Sequence, residues 1–331
     1  MKLVEKTSEK QRLDSLENIY PVELSAPDIT AYAAGNTGVP YYTTLDSGIA
    51  GPHAAILALT HGNEICGAIT LDTMFRCGLT PTRGKLTLGF NNVAAYAQFD
   101  ARYPAASRFV DEDMNRVWAT ERLDGDDQSI ELARAREIRP LIDTVDFLLD
   151  LHSMQSASPP LMLAGPLAKG HEFASLLKYP ETIMCDAGHA AGKRLRDYGD
   201  FGDANSPRNA LLVEAGQHWA ASSGIVSTDS AVCFLQALDM IDDATAKSLS
   251  QDTRPAAQRT IEVIDRVTIN SDHFQFHQPY TGLEVIPKAG TELGIDGDTP
   301  VVTPFDDCVL IMPTRRTWKG QTAVRLGRYV K

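Results

Sequence analysis

Ala54-Ala-Ile-Leu-Ala-Leu-Thr-His-Gly-Asn-Glu64, continuing as Ile65-Cys-Gly-Ala-Ile-Thr-Leu71, changes its periodicity halfway along. Ala55 to Leu59 is a short unbroken apolar run, the pattern of a buried strand. Thr60 to Asn63 interrupts it with small polar residues. Ile65, Ile69 and Met74, with Ala68 and Leu71 nearby, then recur at helical spacing, so a helix follows the turn. His61 and Glu64 therefore belong to a loop at a strand end that opens into a helix. That spacing aims an imidazole and a carboxylate at one point. Both are zinc-ligand types, and a catalytic site of the His₂Glu type needs one more histidine. Taken alone, a His or Glu in such a turn more often serves as a cap, so the rest of the chain has to supply the third ligand.

On either side the chain keeps the same rhythm. Tyr41 to Leu45 reads as a strand, and Lys85 to Phe90 as another that ends at Asn91-Asn92. Strand, helix, strand implies a largely parallel sheet. The stretch from Asn91 to about Asp127 is long and irregular, and a loop of that length inside a compact domain is usually functional. Ser129 to Val145 is a helix with Ser129 as its cap, an apolar face and Pro140 as a potential kink. Val145 to His152, Pro160 to Ala164, Thr182 to Cys185 and Asn209 to Glu214 are further strands. His171 to Leu177 and Thr228 to Ile241 are helices. The first twenty residues hint at a short amphipathic helix through Leu13, Leu16 and Ile19.

The texture changes after about Asp243. Residues 245–258 are polar and linker-like. From Ile261 onward, short alternating runs are separated by Gly and Asp turns, which is the pattern of an all-β module. The expected division is a catalytic domain over residues 1–245 and a β-rich C-terminal domain over 246–331.

Composition excludes several classes of function. The chain has 331 residues and a formal net charge of −12. That balance argues against a general nucleic-acid surface or a basic membrane-binding face, because both need clustered Lys and Arg. No apolar run approaches a membrane span. The N-terminus is charged and lacks a signal-peptide core. Five cysteines, an odd number with no CxxC pair, fit reduced thiols in a cytoplasmic setting better than a disulfide framework. Cys66, Cys77 and Cys233 read as small apolar fillers. A homo-oligomer is left open.

In open parallel sheets, ligands bind beyond the carboxyl ends of the strands. Three such ends carry groups fit for metal or acid–base chemistry: His61 with Glu64, then His152, then Glu214. His61, Glu64 and His152 make a three-ligand zinc site with a fourth position open. Glu214, ending a buried strand, needs a partner there and fits a general base. Asp150 is expected on the opposite strand face from His152. It either orients that ligand or makes a structural hydrogen bond. Of the remaining histidines, His189 and His218 are placed nearest the site.

His61-Gly-Asn-Glu64, Asp113-Met-Asn-Arg116, Asp150-Leu-His152 and Val213-Glu214, in that order, resemble the succinylglutamate desuccinylase and aspartoacylase family of the zinc carboxypeptidase superfamily. The resemblance covers roughly residues 50 to 220. It implies an α/β fold in which a zinc-carboxypeptidase-like, mixed, mostly parallel sheet is flanked by helices, with a small C-terminal all-β domain. It implies one zinc ion held by His61, Glu64 and His152, with Glu214 as general base. It further implies that Asn115 and Arg116 bind substrate, Arg116 clasping a carboxylate with its planar fork. Arg108 matches a family arginine that polarises the scissile carbonyl, and Asp113 is read as fixing the loop. The tail is similar to the family's second domain, where Trp318 falls near a substrate-facing tyrosine.

The chain departs from the family where a Tyr and an Arg usually precede the general base. Asp197-Tyr-Gly-Asp-Phe-Gly-Asp-Ala-Asn-Ser206 holds Tyr198 but no Arg, and it is acidic. An acidic rim there would favour a substrate with a second amine. The leading reading is a zinc-dependent amidohydrolase acting on a small N-acylated amino acid. Its alternatives are a carboxypeptidase acting on short peptides and a non-catalytic metal-binding homologue. A β tail that caps the site would count against the carboxypeptidase.

Overall fold

The computed structural model describes residues 8–14, 16–188 and 191–330. Its strands are β1 Tyr42–Asp46, β2 His53–Ala58, β3 Lys85–Phe90, β4 Phe147–Met154, β5 Leu161–Leu163, β6 Thr182–Cys185, β7 Asn209–Gln217, β8 Arg259–Thr268, β9 Phe274–Phe276, β10 Glu284–Ile286, β11 Glu292–Asp296, β12 Thr299–Val302, β13 Cys308–Ile311 and β14 Thr322–Tyr329. The helices are α1 Glu9–Asp14, α2 Ile65–Arg76, α3 Val93–Tyr96, α4 Thr120–Leu123, α5 Ile130–Ile142, α6 Ala168–Leu177, α7 Ala221–Ala237 and α8 Asp243–Leu249.

One mixed sheet runs in the order β1-β3-β2-β4-β7-β5-β6-β8-β14-β13-β10, and β12-β11-β9 form a small antiparallel sheet. At the centre β3, β2, β4 and β7 are parallel. β5 runs against β7 and begins a second parallel group with β6 and β8. The C-terminal strands β14, β13 and β10 continue the main sheet beyond β8 with antiparallel pairing.

Side chains alternate across the central strands, as the two-residue period of a strand requires. Ile56, Leu149, Leu151, Leu211 and Val213 join one core with α2, α6 and α7. Ala55, Leu57, Leu148 and Ala210 join a second core with α5 and the 114–123 segment. Both sheet faces are covered, which explains why β2, β4 and β7 read as continuous apolar runs. Asp150, His152 and Glu214 share the second face, the one overlaid by the loop around Met114. A third core, from Ile269 to Leu326, lies within the β tail.

Several details differ from the sequence expectation. The first helix covers only Glu9–Asp14, and Ile19 is exposed. Asp14 and the polar residues after it give no continuous apolar stripe. The supposed linker after Asp243 begins with α8, whose first turn is capped by the Asp242 carboxylate accepting from Thr245 N at 2.7 Å. The helix placed at Thr228 starts at Ala221, where small residues let it lie close against β7. Short strands β9 and β11 were not foreseen. Cys77 is exposed at the end of α2, unlike buried Cys66 and Cys233.

Candidate metal centre and cavity

The turn from β2 into α2 brings His61 and Glu64 to the carboxyl edge of the sheet. Gly62 is required there. A Cβ at this position would lie 2.5 Å from backbone atoms of Ala95, Tyr96 and Ser107, so no other residue fits. Its N–H donates to Arg108 O at 3.1 Å, tying the turn to the irregular loop. Trp219 Nε1 donates to Asn63 O at 3.1 Å and holds the turn from the other side.

His61, Glu64 and His152 converge, with one potential ligand atom from each lying within 4.8 Å of the others. Glu64 sits between the rings. His61 Nδ1 is 2.7 Å from its Oε1 and His152 Nδ1 is 2.9 Å from its Oε2. Ser153 N also donates to Oε2, at 3.1 Å. All three residues are buried. Burial pushes the Glu64 carboxyl up, but the two imidazoles outweigh it and hold the group well below the ordinary range. Burial works against charging His152, yet Asp150 and Glu64 raise its pKa well above the usual value.

Each imidazole turns its other nitrogen to an aspartate. His61 Nε2 lies 2.8 Å from Asp113 Oδ1, and His152 Nε2 lies 2.8 Å from Asp150 Oδ2. Asp150 is therefore on the same strand face as His152, correcting the expected placement. Residues two apart in a strand share a face. A buried chain fixes Asp150: Tyr42 OH donates to Asn91 Oδ1, Asn91 Nδ2 to Thr60 Oγ1 at 2.7 Å, and Thr60 Oγ1 to Asp150 Oδ1 at 2.9 Å. Asp113 does more than fix its loop. It also accepts from Arg108 Nη2 at 2.9 Å, and its carboxyl stays well below the usual range because His61, Arg116 and Arg108 overcome its burial.

Glu214 is the register partner of His152 on the neighbouring parallel strand. Its Oε2 is buried with no hydrogen-bond partner among the described residues. Burial, reinforced by the Glu64 charge, pushes its carboxyl up to about 8. Arg108 is buried and donates to Glu64 Oε1 at 3.2 Å as well as to Asp113, leaving Nε without a partner.

Asn115 and Arg116 both line the cavity. Asn115 Oδ1 accepts from Leu195 N at 3.1 Å, and Arg116 Nη1 donates to Asn115 O at 2.7 Å. Gly192 lets the chain run close behind them, since a Cβ there would lie 2.3 Å from Arg116 O. A residue that sequence reasoning missed shapes the same loop. Glu131, fully buried in the first turn of α5, accepts from Val110 N, Asp111 N, Glu112 N and Asn92 Nδ2 at 2.6 to 3.2 Å. An acid in the first turn of a helix reads as a dipole partner, and nothing local signals the loop that it holds.

The cavity measures about 170 Å³ and draws its wall from three parts of the chain. Glu9 and Leu13 come from α1, and Met312, Arg316 and Arg325 come from the β tail. His218 lines it too, with Nδ1 2.8 Å from Ser153 Oγ, and burial pushes its imidazole down to about 3. His189 lies outside the described residues. Trp318 does not line the cavity; its ring packs beneath Arg12, 5.7 Å away.

The acidic rim is absent from the cavity wall. Asp197 is spent on Arg194 and Arg196, each at 2.6 Å. Tyr198 OH donates to Asp143 Oδ1 at 2.8 Å and accepts from Arg139 Nε at 2.9 Å, with its ring against Trp118. The stretch 197–206 folds against the second core, and the wall carries arginines instead.

The family model for the succinylglutamate desuccinylase/aspartoacylase catalytic domain matches residues 50–234. Among solved structures, succinylglutamate desuccinylase from Vibrio parahaemolyticus is similar at 18% identity and TM-score 0.63, covering 89% of each chain. A succinylglutamate desuccinylase/aspartoacylase from Rhodobacter sphaeroides has 14% identity and TM-score 0.64, covering 88% of this chain and 89% of its own. The product-bound ectoine utilization protein EutE (DoeB) from Ruegeria pomeroyi has 16% identity and TM-score 0.61, over 87% and 88%. A comparison with curated proteins found no match. No described helix is long and apolar enough to cross a membrane.

Proposed function

We propose, from the premise that the chain belongs to the succinylglutamate desuccinylase/aspartoacylase family, that it is a zinc-dependent hydrolase cleaving the amide of a small N-acylated amino acid. The observation that carries this reading is the convergence of His61, Glu64 and His152 beside the unpartnered oxygen of Glu214.

The donor set fits zinc: two imidazoles and one carboxylate, with the rings held from behind by Asp113 and Asp150. Asp150 favours the His152 tautomer in which Nε2 carries the proton and Nδ1 is free to ligate, while His61 Nε2 is shared between Asp113 Oδ1 and Arg108 Nη2, 2.9 Å away. When bound, zinc supplies Lewis acidity, polarising a carbonyl and making water a stronger acid near neutral pH. Glu214 takes the proton from the attacking water and returns it to the leaving amine. Its unpartnered oxygen beside the three ligands suits both halves of that exchange. Arg108, anchored by Asp113, faces the charge that develops on the scissile oxygen. Arg116 clasps a substrate carboxylate and Asn115 donates beside it.

The β-rich region 246–331 is read as a second domain that closes the cavity. With α1 it leaves about 170 Å³, which suits a small molecule better than a polypeptide chain. The amidohydrolase reading therefore ranks above a carboxypeptidase. The test is a panel of N-acyl amino acids and short dipeptides, assayed with zinc and with chelator. Zinc-dependent release of a free amino acid from the acylated compounds is the expected result. Turnover of dipeptides alone, or turnover unaffected by metal removal, would sink the proposal.

A further inference from the structure

The short helix α1 reaches the cavity from outside the segment 50–234 that the family model matches. Glu9 and Leu13, four residues apart, share one face of it, and both line the cavity. Leu13 is 2% exposed, whereas the Glu9 side chain is 39% exposed, at the border between cavity and solvent. Lys10 Nζ donates to Ala106 O, two residues before Arg108, and the Arg12 guanidinium lies over the Trp318 ring of the β tail. α1 thus bridges the loop that carries Arg108 and the C-terminal region. Six residues are too few for a helix to persist alone, so these contacts hold it in place.

The Glu9 carboxylate meets the cationic wall. Its Oε1 accepts from Gln321 Nε2 at 3.2 Å and lies 3.9 Å from Arg316 Nη1. Burial pushes the Arg316 guanidinium down to about 10, Arg108 and Arg116 push the same way, and Asp113 and Glu9 oppose them. With Glu9 in place, four of the five cavity arginines face a carboxylate of the chain. Arg108 has Glu64 and Asp113, Arg194 has Asp186 and Asp197, Arg325 has Asp186 at 4.0 Å, and Arg316 has Glu9. Arg116 makes no ion pair among the described residues, and its Nη1 donates to Asn115 O. The wall therefore leaves one cation for one carboxylate of a ligand. A second carboxylate would meet Glu9, a like charge, with no cation of its own.

We propose that Glu9 is a specificity-determining residue that holds Arg316 as an internal carboxylate and restricts the substrate to a single carboxylate. The acyl group and the amino-acid side chain of the compound cleaved then both lack one. This rests on the amide-hydrolase reading, with Arg116 as the partner of the carboxylate that remains. It assigns to α1 a selection that no residue of the matched segment makes.

The experiment compares zinc-loaded wild type and Glu9→Gln, which keeps the shape and removes the charge, on four compounds. N-acetylalanine carries one carboxylate. N-acetylaspartate and N-acetylglutamate carry a second on the amine side, and N-succinylalanine carries it on the acyl side. Wild type should favour N-acetylalanine by kcat/KM. In Glu9→Gln the kcat/KM ratio of at least one two-carboxylate compound over N-acetylalanine should rise about 5- to 20-fold, the size of a like-charge repulsion at a half-exposed site. The gain should lie mainly in KM. A variant that is merely less stable changes all four compounds alike, so the ratio isolates the charge. A wild-type preference for a two-carboxylate compound, or a ratio unchanged or lowered in Glu9→Gln, would overturn the proposal. A second readout avoids turnover: the rise in Tm that each compound gives to Glu214→Gln, repeated with Glu9→Gln added. If wild type hydrolyses none of the four, the hydrolase reading fails. The Tm series then decides on Glu9: a rise with a two-carboxylate compound that grows when Glu9 is neutralised supports the exclusion, and a rise independent of Glu9, or none, removes it.

Discussion

His152 and Glu214 face each other in register on the adjacent parallel strands β4 and β7, so both side chains leave the same sheet face at the same height. One belongs to the candidate metal centre, and the other carries a buried oxygen without a partner. The parallel ladder thus sets the separation of the candidate ligand and the candidate base. Glu214→Gln keeps the shape and removes the proton acceptor. It should retain one zinc per chain while kcat falls about 10²- to 10⁴-fold. Metal analysis and single-turnover kinetics on the same preparation check this, and full activity would remove Glu214 from the mechanism.

Asp150 sets the orientation of His152 through Nε2, and it is itself fixed by the Tyr42–Asn91–Thr60 chain. Asp150→Asn cannot accept a proton from Nε2 in the same way, which favours the wrong tautomer. Zinc affinity should drop about 10- to 100-fold, as for other changes behind a metal ligand. Competition with a chelator of known affinity measures it. Unchanged affinity would reduce Asp150 to a packing residue.

His61, Glu64, His152 and Glu214 were legible in the sequence because an apolar run breaks at each: His61 and Glu64 lie between β2 and α2, and His152 and Glu214 lie near the ends of strands that run on to Met154 and Gln217. The strands themselves were readable because both sheet faces are covered, so β2, β4 and β7 are buried almost throughout and mostly apolar. What escaped depends on contacts between distant segments. Asp113 looked like a loop residue until the 108–116 loop was folded over His61. The acidity of 197–206 suggested a rim, but Asp197 pairs with Arg194 and Arg196 and Asp200 with Arg208, and no residue of the stretch lines the cavity. Arg325 lies in β14 like Arg328, and only the fold distinguishes the one that lines the cavity.

Glu131 orders the loop that carries Arg108, Asn115 and Arg116, because one carboxylate accepts from three successive backbone N–H groups. Glu131→Ala takes the partner from three part-buried donors. At about 1 kcal/mol for each such group, stability should fall by about 3 kcal/mol. Chemical unfolding measures the loss, and KM should rise in the same variant because the loop is no longer held. Wild-type stability and KM together would show that the loop is fixed by other contacts.

His218 should make the protein sensitive to mild acid. Its ring is buried against Ser153 and Trp219, and its pKa is pushed down to about 3 from 6.5. The folded chain therefore keeps the ring neutral where the unfolded chain protonates it. The stability it contributes is fully present above pH 6.5 and is lost progressively as pH falls towards 3. At a pH of about 5 the loss from this group is about 2 kcal/mol. His218→Gln retains a polar partner for Ser153 and has no proton to gain. Urea unfolding of both proteins in chelator, at neutral pH and near pH 5, isolates the contribution as the difference between the two profiles. The wild type should lose about 2 kcal/mol more than the variant over that interval. Parallel profiles would mean that the imidazole is reached by water and titrates as an ordinary histidine.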